Sequence, residues 1–319
     1  MSTSPRDTKC IALTGATGFV GGHILRQMVA GGWRVKALTR RREPLAEGNS
    51  AVTPVAGTLE SPAALAELVE GVDTVVHCAG LVAARRRDEF HAVNTDGTAN
   101  VLRAASAASG RPRIILISSL AAREPGLSPY AASKRKAEDL LRHDGDGLAW
   151  QILRPPVVYG PGDRATLDLF RQFYRGLALL PRSSGRFSMI YADDLAAAVV
   201  ALLQADNLPA QVMELDDGKP GGYGWDELLA IAEAQLGHKV RRIAVPLPLQ
   251  RVVAAASAAV AAMTGGTPFL SQGKVNEISH PDWVCRSNLL NEAVPWKPSV
   301  GFDEGFPRTL AWYKATGWL

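Results

Sequence analysis

Residues 9–31, KCIALTGATGFVGGHILRQMVAG, decide the fold. Cys10 to Leu13 is a short apolar run without alternation, which is how a parallel strand covered by helices on both faces reads. It stops at Thr14. Gly15, Gly18 and Gly21 follow at Gly-x-x-Gly-x-x-Gly spacing, and Phe19, Val20, Ile24, Leu25 and Met28 then recur at helical spacing. Strand, glycine turn and helix together place a pyrophosphate on a helix N-terminus, where unpaired N–H groups point outward and the macrodipole favours negative charge. The glycines admit the tight turn, close phosphate approach and close helix–strand packing. Gly15, Thr17, Gly18, Phe19, Val20 and Gly21 are the candidate cofactor-binding residues of this turn.

Outward from that unit, Arg34 to Leu38 reads as a second strand ending in Thr39-Arg40-Arg41-Arg42. An acidic residue at this point would hold the 2′-hydroxyl of NAD(H), whereas an arginine suits a 2′-phosphate. Arg40 therefore favours NADP(H), with NAD(H) as the alternative. A third strand is expected near Val52 to Val55, and a helix from Ser61 to Val69 with Ser61 as N-cap and Pro62 at its first position. A fourth strand, Thr74 to Cys78, runs into Ala79 and Gly80, small enough for a cofactor to lie close. One long helix is expected to carry Val93–Thr98 and continue through Leu102. The strand Ile114 to Ile117 delivers Ser118 and Ser119 at its carboxyl end, the edge where open α/β sheets hold ligands. The alternation predicts an α/β fold, a Rossmann-type doubly wound parallel sheet with a smaller C-terminal substrate-binding lobe.

Bulk properties narrow the class. The chain has 319 residues, 47% apolar and 21% charged, with a net charge of +4 and no long Lys/Arg run. No nucleic-acid partner is expected. Cys10, Cys78 and Cys285 lack metal-ligand spacing, so no metal is expected and they read as packed thiols. The opening MSTSPRDTK has no apolar signal core, which points to a cytoplasmic protein. The longest apolar run, Val252 to Met263, reads as too short to span a bilayer.

The sequence Ser128-Pro129-Tyr130-Ala131-Ala132-Ser133-Lys134 supplies the chemistry. Pro129 suits a helix start, so Tyr130 and Lys134 share a helical face. A phenol near pKa ~10 is a poor base at neutral pH, and a neighbouring ammonium stabilises its phenolate. A strand-end serine can hold the substrate oxygen while the tyrosine gives or takes its proton.

Taken in order, TGATGFVGG, VVHCAG, VNTDGT, ISS, SPYAASK and LRPPVVYGPGD resemble the extended short-chain dehydrogenase/reductases, in the NAD-dependent epimerase/dehydratase and 3β-hydroxysteroid-dehydrogenase-like branch. The resemblance implies a catalytic triad of Ser119, Tyr130 and Lys134. Ser119 is chosen over Ser118 because the family's serine is usually the second of the pair. Asn94 matches an asparagine that supports the active-site helix, Lys134 also contacts the nicotinamide ribose, and Pro155, Val157 and Val158 lie near the carboxamide. The family often carries Gly-Asp after the third strand, where this chain has Gly57-Thr58-Leu59. Ser119 and Tyr130 are also closer in sequence than in many sugar-nucleotide epimerases, which weakens that assignment. Many members dimerise through two helices each, and the segments 87–109 and 129–144 are the matching pair for a homodimer.

Residues 1–160, with returning segments near 186–215, are assigned to the dinucleotide-binding domain, and 161–185 with 216–319 to the substrate lobe. A helix is expected over 165–176, another over Leu195 to Leu203 with Asp193 as its N-cap, and a third from Trp225 to Leu236. Leu247 to Met263 is apolar on all faces; a buried core helix is the first expectation, and a hydrophobic substrate pocket or membrane-surface contact the alternative. The aromatics of the tail, Trp296, Phe302, Trp312, Tyr313 and Trp318, read as packing. These features favour an NADP(H)-dependent oxidoreductase interconverting a carbonyl and a secondary alcohol on a small, fairly hydrophobic substrate. A nucleotide-sugar epimerase or dehydratase with retained NAD(P), using Glu124 as a nearby acid, is the alternative, followed by a non-enzymatic redox sensor.

Overall fold

In the computed structural model, which describes residues 9–40, 50–145, 147–182, 185–287 and 289–319, the strands in chain order are β1 (Cys10–Thr14), β2 (Arg34–Thr39), β3 (Val52–Ala56), β4 (Thr74–His77), β5 (Arg113–Ile117), β6 (Trp150–Arg154), β7 (Val157–Tyr159), β8 (Leu177–Pro181), β9 (Arg186–Phe187), β10 (Met189–Tyr191), β11 (Gln211–Glu214), β12 (Arg241–Val245) and β13 (Asp282–Trp283). Seven of them form one sheet in the order β11-β6-β5-β4-β1-β2-β3, and every pair in it is parallel. The strand order reverses between β1 and β4. There the helices leaving neighbouring strands go to opposite faces and a crevice opens at the strand ends. Thr14 and His77 are register partners at that point. The expected Rossmann-type sheet is therefore present.

The helices are α1 (Phe19–Ala30), α2 (Pro62–Val69), α3 (Arg87–Phe90), α4 (Gly97–Ala107), α5 (Pro129–Asp144), α6 (Leu167–Tyr174), α7 (Ala192–Gln204), α8 (Trp225–Leu236), α9 (Leu247–Thr264), α10 (Gln272–Ser279), α11 (Leu290–Ala293) and α12 (Phe302–Ala315). Side chains alternate across β1, so Ile11 and Leu13 enter one core with Ile24 and Met28 of α1 and Val199 and Leu202 of α7. Ala12 enters the opposite core with Leu65, Leu68, Val101 and Leu141. Burial on both faces explains why β1 reads as unbroken apolar sequence. Each such large side chain taken fully from water contributes roughly 1.5–3 kcal/mol. A third core holds Tyr159, Phe170, Phe173, Tyr223, Phe302, Phe306 and Tyr313, so the tail aromatics at 302 and 313 do pack. Trp296 is buried against the sheet instead.

Three expectations change. The long helix over 93–102 is broken by a π-helical turn, His91–Asp96, before α4 begins. One extra residue per turn rotates Asn94 inward, and such turns cluster at functional sites. Asp193 does not cap α7, which starts one residue earlier at Ala192. Its carboxylate instead meets His23 Nδ1 at 2.5 Å, holding α7 to α1 and lowering the Asp193 pKa through that bond. The third change is α9. It is not a core helix, because its buried residues are Ala254, Ser257 and Ala261 alone. It is also longer than its apolar run suggests: Leu247–Thr264 spans 18 residues at mean hydropathy 1.3, long and apolar enough by length and composition to cross a membrane, with 17% of it buried.

Candidate active site

The glycine turn is built by contact. Gly15 has φ +78°, and a Cβ there would lie 2.7 Å from the Ala79 nitrogen and 2.9 Å from the Cys78 carbonyl carbon. Only glycine lets the exits of β1 and β4 touch in this way. The Gly18 N–H closes the turn on the Gly15 carbonyl at 2.9 Å. Gly18 offers no side chain to cap α1, so the N–H groups of that first turn remain open to an anion. Thr17 is exposed at the turn, Phe19 meets His23 edge-on with ring centroids 5.4 Å apart, and Val20 packs against the first core. A dinucleotide pyrophosphate fits this cradle.

Next to it runs a buried hydrogen-bond chain that sequence reading missed. The Thr98 hydroxyl donates to the Asn94 carbonyl at 2.7 Å, so its oxygen accepts from His77 Nε2 at 3.0 Å. His77 Nδ1 is then the acceptor for the Thr14 hydroxyl at 2.7 Å. The Thr14 oxygen accepts in turn from the Ala79 N–H at 3.1 Å. Burial, with the Lys134 ammonium nearby, pushes the His77 pKa down to about 3, so the ring is a neutral strut. A histidine inside the apolar strand VVHC was the available signal, since a buried imidazole needs partners for both nitrogens.

Ser119, Tyr130, Lys134 and Asn94 are brought together at the carboxyl end of β5. The Ser128 hydroxyl accepts from the Ala131 N–H at 2.9 Å, capping α5 and setting Tyr130 in its first turn. Of the two serines, Ser118 is turned away, donating to Glu138 Oε1 at 2.6 Å. Ser119 Oγ accepts from the Ala121 N–H at 3.2 Å and is near enough to the Tyr130 hydroxyl to ease its ionisation. Burial pushes the Tyr130 pKa up to about 12, eased by Ser119 and reinforced by the Glu277 carboxylate. Lys134 Nζ donates to the Ile117 carbonyl at 2.7 Å. Asn94, turned in by the π-helical segment, donates to the Leu81 carbonyl at 3.0 Å and to Ser133 Oγ at 2.9 Å, and accepts from the Leu81 N–H at 2.7 Å. It thereby ties the chain after Gly80 to α5.

Burial also pushes the Lys134 pKa down to about 8, against the opposing pull of Cys78 and Glu138. Between this value and the ordinary 10.5 the unfolded state binds more protons than the folded one, so the group adds stability as pH rises. Wild type should therefore gain about 2 kcal/mol over Lys134→Met between pH 7.5 and pH 9.5. Urea melts of both proteins at the two pH values check this, and a constant difference would mean that the ammonium is well solvated.

The support behind these residues was partly invisible in sequence. Glu138 is fully buried and takes both arms of Arg154, at 2.8 and 2.6 Å, locking α5 to β6. Glu277 of α10 accepts from the Ser128 hydroxyl. Neither partner could be paired from separation alone. Pro155 is buried beside the serine turn, its carbonyl accepting from the Leu120 N–H at 2.9 Å, while Val157 is 39% exposed and Val158 half-buried on the same wall. Gly80 approaches Asn94 Oδ1 and Lys134 Nζ, at 3.1 and 3.8 Å from an added Cβ, and Ala79 lines the same crossing. Arg40 is exposed at the end of β2, and β1 and β4 lie between that strand and β5, which leads to the serines. Arg41, Arg42 and the N-terminal residues 1–8 lie outside the described residues. Cys10 and Cys78 are half-buried free thiols and Cys285 is a buried one.

With this geometry, the chain belongs to the NAD dependent epimerase/dehydratase family, which it matches over residues 11–214. It is an NAD(P)-dependent enzyme of the extended short-chain dehydrogenase/reductase kind. The Caulobacter vibrioides ceramide reductase is 41% identical over 324 residues, covering 100% of this chain and 98% of that protein. A Stigmatella aurantiaca 4-hydroxy-2-methyl-3-oxo-4-farnesyl-3,4-dihydroquinoline-1-oxide ketoreductase is 31% identical, covering 65% of this chain and 68% of its own. The UDP-glucuronic acid 4-epimerase from Bacillus cereus, solved with UDP-glucuronic acid and NAD, superposes with a TM-score of 0.72 over 96% of this chain and 99% of that one. At 17% identity this likeness shows the fold alone.

Proposed function

We propose that the protein is an NADP(H)-dependent ketoreductase whose substrate is a ceramide-like lipid carrying a ketone. The observation that carries the chemistry is that Ser119 follows the end of β5 while Lys134, one helical turn from Tyr130, bonds the Ile117 carbonyl at that same strand end, beside the dinucleotide crevice. The full-length similarity to a ceramide reductase supports the lipid class. When bound, the nicotinamide supplies hydride to the carbonyl carbon. Tyr130, kept protonated by burial, gives its proton to the carbonyl oxygen as charge develops there. Ser119 orients that oxygen: its own oxygen is occupied by the Ala121 N–H, which leaves its O–H free to donate. Lys134 stabilises the phenolate left behind, and Asn94 holds the two elements carrying these groups in register. The substrate lobe at 161–185 and 216–319 supplies the lipid-facing wall.

The test is NADPH oxidation with a ketone-bearing ceramide in mixed micelles, set against a water-soluble ketone and UDP-sugars. Turnover of the lipid ketone is expected. Conversion of a UDP-sugar without net NADPH consumption would overturn this reading in favour of an epimerase. Arg40 carries the cofactor preference, since no acid occupies Thr39–Arg42 and the exposed guanidinium suits a 2′-phosphate. Arg40→Glu should weaken NADPH binding about 10- to 100-fold and leave NADH within about threefold, measured by fluorescence titration. Equal losses for both cofactors would remove Arg40 from this role.

A further inference from the structure

We propose that α9 docks the enzyme on an anionic membrane surface, lying in the plane of the interface beside the mouth of the active site. The helix has one packed stripe, Ala254, Ser257 and Ala261, at i, i+3 and i+7. The opposite stripe bears Leu249, Val252, Val260 and Met263, which are 52%, 65%, 54% and 80% exposed. Phe269, just beyond its end, is 78% exposed. Large apolar side chains contiguous on one exposed face are a costly arrangement in water and mark an interaction surface.

Charge selects the occupant. Residues 247–272 contain no acidic residue, and their single charge is Arg251, which is exposed. At the other end of the helix, Arg85 Nη1 lies 3.9 Å from an added Gly265 Cβ, in an exposed segment that continues through Arg86 into Arg87, the first residue of α3. The two acids of α3 are engaged locally, Asp88 with Arg86 and Glu89 with the Arg85 N–H. An apolar stripe about 27 Å long with arginines at both ends matches acyl chains bordered by anionic headgroups. A spanning arrangement would have to break the packed stripe, including the Leu270 N–H to Ser257 Oγ bond at 3.3 Å and the Gln272 Nε2 to Arg251 carbonyl bond at 2.8 Å.

Position gives the docking a use. The next helix, α10, abuts the start of α5: a Cβ at Gly273 would lie 2.8 Å from Ser128 Cβ, and Glu277 bonds Ser128 two residues before Tyr130. The Arg85 loop leaves Leu81, which is bonded to Asn94. Both ends of the docking face therefore connect to the rim around Tyr130, so a lipid ketone could enter from the bilayer rather than through water. This deepens the lipid-carbonyl reading and rests on it for its purpose. Vesicle binding and turnover of a water-soluble ketone are separate measurements, so either can fail alone.

The experiment is flotation of the full chain with phosphatidylcholine vesicles and with vesicles containing 30% phosphatidylglycerol. Wild type should float with the anionic vesicles and be released by alkaline carbonate. Val252→Glu/Met263→Glu should reduce flotation at least tenfold with unchanged melting temperature and NADPH binding. Arg85→Ala and Arg251→Ala should each cost about fivefold. Wild type left unbound, a double variant that floats equally, or carbonate-resistant protein would overturn the proposal. So would a solution dimer that the double variant splits, which would assign the face to a second copy.

Discussion

Tyr130→Phe should lower kcat for ketone reduction about a thousandfold while NADPH still binds within about twofold of wild type. The ring would stay packed, since its partner Phe90 lies 6.1 Å away centroid to centroid and touches no hydroxyl chemistry. What disappears is the proton. Burial holds this phenol well above neutral pH, so at pH 7 it is a loaded acid facing Ser119. Steady-state NADPH oxidation beside a fluorescence binding curve separates the two effects. A variant keeping more than about a tenth of the activity would take the acid role from Tyr130 and leave the ketoreductase mechanism without its proton donor.

The second large effect is expected from two neighbouring glycines with opposite outcomes. A Cβ on Gly21 would sit 2.0 Å from the Gly15 carbonyl oxygen and 2.6 Å from its carbon, so Gly21→Ala must move the backbone of the turn. NADPH affinity should fall at least a hundredfold, because the turn's N–H groups no longer converge on one anion. Gly22 is one position further on, where a Cβ finds only the Ala16 oxygen at 3.7 Å and Arg26 Nη1 at 3.8 Å, ordinary contacts. Gly22→Ala should bind NADPH normally and gain about 0.5–1 kcal/mol of stability from helix propensity. Calorimetric titration and thermal melts of both proteins check the pair. Equal behaviour would mean that the third glycine of the motif has no packing role.

Helix α9 shows how far pattern carries and where it stops. Its composition says that it must lie against something apolar, but not what. An alanine-rich helix buried in a core and one presented to a lipid surface have the same sequence signature, because both avoid charge. The difference lies in whether neighbours cover the opposite stripe, and α10 covers one side only. Asp193 makes a related point. Its place before an apolar run is that of an N-cap, yet His23 on α1 offers a stronger partner from far along the chain, and the helix starts without it.

By itself the sequence determined the nucleotide-binding unit, the parallel strand–helix alternation and the Tyr130–Lys134 pair. Each of these is local: strand burial, glycine spacing and one helical turn are fixed by residues within a few positions of one another. Tertiary structure alone decided that His77 is a neutral strut between Thr14 and Thr98, that Glu138 grips Arg154 behind the serines, and that Glu277 reaches Ser128 from 149 residues away. It also decided that α9 faces outward. Such pairings depend on which buried polar group finds a partner once the sheet has closed, and on which helix face is left uncovered, and sequence separation says nothing about either.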